Sequence, residues 1–189
     1  MRESDEKRSR FEAIALPLMT ALYNVAVRMT GSSEDAADVV QDTYLRAYRT
    51  FDNFRPGTNE RAWLFTILYS VVINRQDRAK REAHNVRLDE MEERFQQYLQ
   101  ADDPSDAARD PSAPRPTSPE IEVALRDLPE VFRTAVLLVD VQDLSYEEAA
   151  RVVGCPVGTL RSRLFRGRRL LFLALHDYAR RTGYVKSGD

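Results

Sequence analysis

A segment rich in proline and acidic residues divides the sequence into two parts. Five of the nine prolines lie between Pro104 and Pro119, among Asp, Ala and Ser residues and without a large apolar side chain. Such a segment cannot bury enough apolar surface to offset the entropy of ordering it. We therefore expect a flexible acidic linker over residues 101–118, with one domain over residues 8–100 and another over residues 119–180.

Both flanking parts show helical periodicity, and no convincing strand alternation appears in either. In the N-terminal part the apolar spacing predicts four helices: an amphipathic helix spaced by Phe11 to Met29, a second over residues 34–50, a third from Glu60 to a basic end near Arg81, and a short fourth over residues 88–99. Ser32 or Ser33 is suited to cap the second helix. The sequence thus predicts an all-α protein made of two small helical domains.

The segment from Leu144 to Leu171 has the pattern of a helix-turn-helix. Ser145 and Glu148 are spaced as a capping box, and Gly154 suits the left-handed conformation in which the first helix would end. The second helix carries five arginines and no acid from residue 160 to residue 171. This pattern favours contacts with phosphates and base edges in the DNA major groove. The alternative is a solvated helix pair, but such faces usually mix both signs of charge.

The formal net charge of -2 hides an uneven distribution of charge. Residues 89–122 hold ten acids against three basic residues, so basic surfaces elsewhere are masked in the total. The single cysteine, Cys155, excludes an internal disulfide and favours a reducing cytoplasm. It is more typical of a small packed residue than of a redox sensor. We expect neither a signal peptide nor a membrane-spanning run.

No motif for catalysis or for a cofactor is found in the sequence. His84 and His176 lie far apart and lack metal-ligand spacing with Cys155 or with a pair of carboxylates. Glu147 and Glu148 are adjacent on a helix and therefore point in different directions. A glycine-rich phosphate loop is also absent. The sequence predicts a protein that is not an enzyme and that binds no metal and no cofactor.

Two runs resemble the extracytoplasmic-function (ECF) group of bacterial sigma factors. Region 2 of that group is similar to EDAADVVQDTYLRAYRTFDNF followed by AWLFTILYSVVIN, and region 4 is similar to LRDLPEVFRTAVLLVDVQDLSYEEAARVVGCPVGTLRSRLFRGRRLL. Together they cover most of residues 18–172, in the family's order and with a linker between them. The resemblance implies a region 2 helical bundle and a region 4 helix-turn-helix domain. It also implies a cytoplasmic alternative sigma factor for stress or envelope responses, with core RNA polymerase, promoter DNA and an anti-sigma factor as partners.

The resemblance assigns a polymerase-docking surface to the second helix of region 2, which in the family binds the clamp helices of the β′ subunit. The residues concerned are Asp38, Gln41, Asp42 and Leu45. Their i, i+3, i+4, i+7 spacing places them on one face of a helix. An ordinary exposed face is the alternative interpretation.

The loop from Phe51 to Asn59 is, by resemblance, the pocket for a base of the -10 element. The free-energy cost of taking a base out of the DNA stack must be offset by stacking on protein side chains and by contacts to the edges of the base. The implied -10 contacts are Asn53, Phe54, Arg55, Trp63, Asn74, Arg75 and Arg78; for Trp63 a core position is an equal alternative. Family members often have arginine at Thr66 and asparagine at Ser70, so their -10 preference cannot be transferred to this chain.

The resemblance assigns the -35 element to the second helix of the helix-turn-helix. The implied contacts are Thr159, Arg161, Ser162, Arg163 and Arg166, with Arg168 and Arg169 contacting phosphate or polymerase. Arginine can bond guanine bidentately, and Ser and Thr can contact either base type, so this set can read sequence. The helix from Glu130 to Val141 is interpreted as scaffold, with a polar face available to the β-flap of polymerase.

The acidic linker has two open interpretations. In sigma factors this segment threads into the polymerase channels as a nucleic-acid mimic, a role that Asp102, Asp103, Asp106 and Asp110 would suit. A simple tether fits equally well. Two other functions also stay open: a stand-alone helix-turn-helix regulator whose N-terminal domain dimerises or senses a ligand, and a protein that occupies polymerase without starting transcription. An acidic docking face followed by an Asn/Phe/Arg loop and a basic helix end favours the sigma factor over both.

Overall fold

The computed structural model describes residues 2–55, 57, 59–80 and 119–181, and every regular element in these ranges is helical. The predicted all-α class is therefore confirmed. The expected short helix over residues 88–99, the linker over residues 101–118 and the residues beyond 181 lie outside the described ranges.

The described residues of the N-terminal half form four α-helices and two short 3-10 turns: α1 (Arg2–Ala15), a turn at Leu16–Leu18, α2 (Met19–Thr30), α3 (Ser33–Thr50), a turn at Phe51–Asn53 and α4 (Glu60–Lys80). The first predicted helix is in fact divided, because Pro17 provides no N–H for continuous α-helical bonding. Gly31 ends α2 with φ of 75°, as its position predicts. Of the two candidate caps, Ser32 is the one used, and its hydroxyl accepts from the Asp35 N–H.

Helices α2, α3 and α4 pack around fully buried aliphatic side chains, including Leu22, Val39, Leu64 and Leu68. Complete burial of such a side chain is worth about 1.5–3 kcal/mol. Among the described residues, the helical stretch 5–30 is long and apolar enough to cross a membrane by length and composition, contrary to the sequence-based expectation. In this structure Phe11, Leu22 and Val25 of this stretch are part of the protein core, whereas Leu16 and Met19 are exposed.

The C-terminal half contains α5 (Pro119–Asp127), α6 (Glu130–Val136), a π-helical turn (Leu137–Val141), α7 (Tyr146–Val153) and α8 (Val157–Arg181). The predicted helix from Glu130 to Val141 therefore changes form after Val136, and the Gln142 N–H donates to the Leu137 carbonyl over five residues. The capping box of Ser145 and Glu148 is confirmed. So is the left-handed Gly154, with φ of 69°, at the end of α7.

Helix α8 crosses α6 so closely that a side chain is excluded at Gly167. A Cβ atom at this position would lie 2.9 Å from Val136 Cγ2 and 3.1 Å from the Phe132 carbonyl oxygen. Gly167 is thus required for packing rather than for backbone freedom. The glycine lets the recognition helix of the helix-turn-helix sit directly on its scaffold.

The two halves also pack against each other, chiefly through α4 against α7 and α2 against α5. Their buried apolar residues belong to one contiguous cluster. Arg28 of α2 forms a two-pronged ion pair with Glu122 of α5, at 2.5 and 3.0 Å. Arg61 of α4 donates to the side-chain oxygen of the buried Gln142 at 2.8 Å. The structure is therefore a closed arrangement of the two halves.

Candidate docking surface and nucleic-acid interface

One face of α3 carries the four residues predicted to dock on polymerase. Asp38, Gln41 and Leu45 are exposed and Asp42 is half-buried, whereas the opposite face of the helix is buried in the core. Leu45 leaves 49% of its surface exposed between polar neighbours. An exposed apolar side chain one turn after an acid and an amide is a suitable anchor for a partner that has both basic and apolar groups.

Arg75 of α4 lies at the edge of this face. Its Nη2 atom is 2.7 Å from Asp42 Oδ2, and its Nη1 atom is 3.5 Å from Asp38 Oδ2. The hydrogen bond to Asp42, with a smaller contribution from Asp38, raises the pKa of Arg75 above its ordinary value. The structure thus brings this residue, predicted to contact -10 DNA, together with two residues of the predicted docking set.

The loop after α3 has an aromatic wall. The ring of Phe54 lies parallel to the buried Phe51 at 5.9 Å and is 4.8 Å from the ring of Trp63. Trp63 is half-buried and packs against the core, in agreement with the core position that the sequence left open, and its contact with DNA stays a prediction. Asn53 and Arg55 are exposed beside this wall. The loop therefore presents polar edge groups next to stacked rings, the combination that an unstacked base requires.

Helix α1 supports this loop from the other side. Phe11 makes an edge contact with Phe51 at 5.4 Å, and the Lys7 ammonium lies 2.6 Å from Asp52. The N-terminal helix thereby helps to fix the turn from which the candidate pocket begins.

The outward row of α4 consists of short polar side chains. Thr66, Ser70 and Asn74 are exposed at four-residue intervals. The Thr66 hydroxyl donates to the Ala62 carbonyl at 2.8 Å, and the Asn74 amide donates to the Ser70 hydroxyl at 3.4 Å. Arg78 also belongs to α4, but its side chain lies outside the described part of the structure.

Asn59 and Glu148 link the loop to the helix-turn-helix, a contact that the sequence did not reveal. The Asn59 oxygen accepts from the Ala62 N–H at the start of α4, and its amide donates to Glu148 Oε1 at 2.7 Å. The other oxygen of Glu148 serves the capping box with Ser145. Burial acts to raise the pKa of Glu148, but the hydrogen bonds from Ser145 and Asn59 outweigh it and lower the pKa below its usual value.

The residues predicted to read the -35 element divide into two groups on α8. Thr159, Ser162, Arg163 and Arg166 follow one strip at i, i+3, i+4, i+7 spacing. In contrast, the guanidinium of Arg161 lies over the Tyr146 ring at 5.4 Å, and Arg168 bonds Asp140 at 2.6 and 3.1 Å. The bond to Asp140 raises the pKa of Arg168. Arg169 is half-buried.

Phe165 is a residue of this surface that sequence reasoning missed. It leaves 53% of its surface exposed, although it is a large apolar residue. The exposure of Phe165 could have been predicted from the sequence, because position 165 lies off the apolar stripe formed by Leu160 and Leu164. An exposed ring on a recognition helix can contact the methyl group of thymine.

The described residues contain no cluster of three or more His, Cys, Asp or Glu side chains that could hold a metal ion. Cys155 is half-buried and unpaired by any disulfide. His84 lies outside the described ranges.

Comparison with known families matches residues 17–82 to Sigma-70 region 2 and residues 118–171 to Sigma-70, region 4. The ECF RNA polymerase sigma factor EcfG of Rhodopseudomonas palustris is 37% identical over 165 residues, which is 85% of this chain and 82% of the relative. SigE of Mycolicibacterium smegmatis is 34% identical over 159 residues, 82% of this chain and 58% of that relative. The chain belongs to the ECF sigma factors, which are transcription initiation factors that bind core RNA polymerase and promoter DNA.

Solved structures support the same fold. The sigma factor RpoE of Bartonella quintana, solved in complex with the anti-sigma factor NepR, superposes with a TM-score of 0.67 at 29% identity, covering 88% of this chain and 97% of that one. CnrH, solved with the cytosolic domain of CnrY, superposes with a TM-score of 0.60 at 24% identity, covering 90% of each chain. The second likeness concerns the fold alone.

Proposed function

We propose that this sigma factor docks on the β′ clamp helices of core RNA polymerase through the α3 face of Asp38, Gln41, Asp42 and Leu45. The observation that carries the proposal is the exposed Leu45 among acidic and amide side chains on the outward face of α3. Promoter-specific run-off transcription with purified core polymerase tests it, on templates selected from genomic DNA by the protein. In this role the protein would contribute binding energy only, and RNA polymerase would catalyse the reaction. The proposed location of the protein is the cytoplasm.

The aromatic-walled loop and α4 form the proposed -10 surface. Asn53 and Arg55 would contact the edge and backbone of a base stacked near Phe54 and Trp63. Thr66 and Ser70 offer hydroxyls, which discriminate between bases less sharply than the arginine and asparagine common in the family. We therefore expect this chain to prefer a -10 sequence different from that of members with those residues. In this proposal residues 8–100 and 119–180 are the two functional domains, residues 101–118 are the linker between them, and the remaining residues are the termini.

On α8 the proposed base-reading strip is Thr159, Ser162, Arg163 and Arg166, with Phe165 beside it. Arg166→Ala should weaken binding to the selected -35 DNA by about 1–3 kcal/mol and relax base preference at one position, as expected for loss of a bidentate contact. Arg168→Ala is the matched control because it removes the same charge from the same helix but breaks the bond to Asp140. Arg168→Ala should lower the melting temperature and leave the base preference of DNA binding unchanged. Equal relaxation of base preference in both variants would contradict this division.

Control by an anti-sigma factor is proposed from the RpoE complex and from the closed arrangement. In this arrangement α4 of the -10 surface packs against α7 of the helix-turn-helix. Two promoter elements that are separated along a duplex cannot be read together by surfaces held in contact. The two halves must therefore separate on the promoter, and an inhibitor that stabilises their contact would prevent transcription.

Arg28→Glu should weaken the closed arrangement, because it replaces the ion pair with Glu122 by two facing carboxylates at the contact between the halves. The expected result is a larger radius of gyration in small-angle X-ray scattering. Arg8→Glu is the control with the same charge change, since Arg8 bonds Glu12 within α1. Adding Glu122→Arg to Arg28→Glu should restore the wild-type radius. An unchanged radius of gyration in Arg28→Glu would show that the contact between the two halves does not depend on the ion pair of Arg28 with Glu122.

A further inference from the structure

The ion pair between α4 and α3 places a DNA-side residue on the polymerase-docking surface. Arg75 reaches two carboxylates that are one helical turn apart, Asp38 and Asp42, at 3.5 and 2.7 Å. Like charges at this spacing repel each other and disfavour the helix. A guanidinium between them removes the repulsion and gives both side chains a fixed donor.

The exposures show which groups face outward. The side chains of Asp38 and Asp42 are 60% and 41% exposed, and that of Arg75 is 38% exposed. A carboxylate has two oxygens and about four acceptor positions, so one bond to Arg75 leaves capacity for a further cation. A basic partner can therefore bind both carboxylates without displacing Arg75. The guanidinium lies at the edge of the docking face, at the junction of the two helices.

We propose that Arg75 is a positioning residue of the polymerase-docking surface, which holds Asp38 and Asp42 in the orientation that receives basic residues of the partner, and that it does not contact the -10 element. This inference rests on the proposed docking role of α3. Asn74, the residue directly before Arg75 on α4, belongs to the row that is proposed to face DNA. The boundary between the docking surface and the DNA surface therefore runs between two consecutive residues of α4.

The test compares Arg75→Gln and Arg75→Lys with the wild-type full chain in two assays. The first is the dissociation constant for core RNA polymerase, and the second is the affinity of the polymerase-saturated complex for promoter DNA. Arg75→Gln should lose about tenfold in affinity for core, the equivalent of one strong charge-assisted contact. Arg75→Lys should recover part of that loss because it keeps the charge without the two-pronged geometry. DNA affinity at saturating polymerase should be unchanged.

A double-mutant cycle separates positioning from a general effect on folding. If Arg75 acts through the two acids, then Arg75→Gln combined with Asp42→Asn should lose less core affinity than the sum of the two single losses, and only the contribution through Asp38 should remain. Additive losses would overturn the proposal. Reduced DNA affinity with unchanged affinity for core would also overturn it and would make Arg75 a -10 contact, as the sequence suggested.

Leu45→Glu tests the docking surface independently of Arg75, because the exposed side chain of Leu45 can change without disturbing the core. A large loss of core affinity in Leu45→Glu, with none in Arg75→Gln, would overturn the role of Arg75 and leave the docking surface standing. Wild-type core affinity in Leu45→Glu would overturn both.

Discussion

Replacing Asp38 and Asp42 together by arginine should abolish promoter-specific run-off transcription. Both carboxylates point outward from α3, and the two reversals would place cations opposite a partner surface that is expected to be basic. Like charges brought together in an interface cost several kcal/mol, so we expect core affinity to fall by at least about 100-fold, or about 3 kcal/mol. The affinity of the full chain for -35 DNA should be unchanged, because the helix-turn-helix is untouched.

The control for this experiment is Asp5→Arg combined with Asp127→Arg, two exposed acids in α1 and α5. It makes the same change in net charge away from α3 and should transcribe as wild type. Asp38→Asn combined with Asp42→Asn is also needed, because arginines at these positions would repel Arg75. It should show a smaller loss. Normal transcription by the arginine variant would exclude α3 as the docking surface, and specific DNA binding without any transcript from the wild type would favour a stand-alone regulator.

Features encoded within a few residues could be predicted from the sequence. Ser145 and Glu148 form a capping box three residues apart, and Gly154 ends the same helix, so both depend only on local backbone chemistry. The outward face of α3 followed equally from helical spacing. These signals are independent of where the rest of the chain lies.

Contacts between distant residues could not be predicted in this way. Arg75 and Asp42 are 33 positions apart, and Asn59 and Glu148 are 89 positions apart. Their pairing depends on how the helices pack, which no local pattern specifies. The sequence therefore identified Arg75 as a cation at a basic helix end, but it gave no sign of the two acids across the helix junction. The closed arrangement of the two halves was invisible for the same reason.

Gly167→Val should destabilise the helix-turn-helix domain more than any surface substitution discussed above. A Cβ at this position already lies within 2.9 Å of Val136 Cγ2 and 3.1 Å of the Phe132 backbone oxygen, and the backbone oxygen has no rotamer into which it can move. Overpacking of this kind typically costs 1–3 kcal/mol, and a β-branched side chain between two helices should lie near the upper limit, at about 3 kcal/mol. Urea denaturation should show this loss in the free energy of unfolding, together with reduced binding to -35 DNA.

Gly158→Val is the matched control on the same helix, because a Cβ at Gly158 meets no atom within 4 Å. It should leave the free energy of unfolding near the wild-type value or slightly higher, since glycine is about 1 kcal/mol less favourable than alanine in a helix. Equal stability of the two valine variants would mean that α6 and α8 can separate at little cost. The position of the recognition helix would then depend instead on the contacts of Arg161 with the Tyr146 ring and of Arg168 with Asp140, and Arg168→Ala would become the variant that moves it.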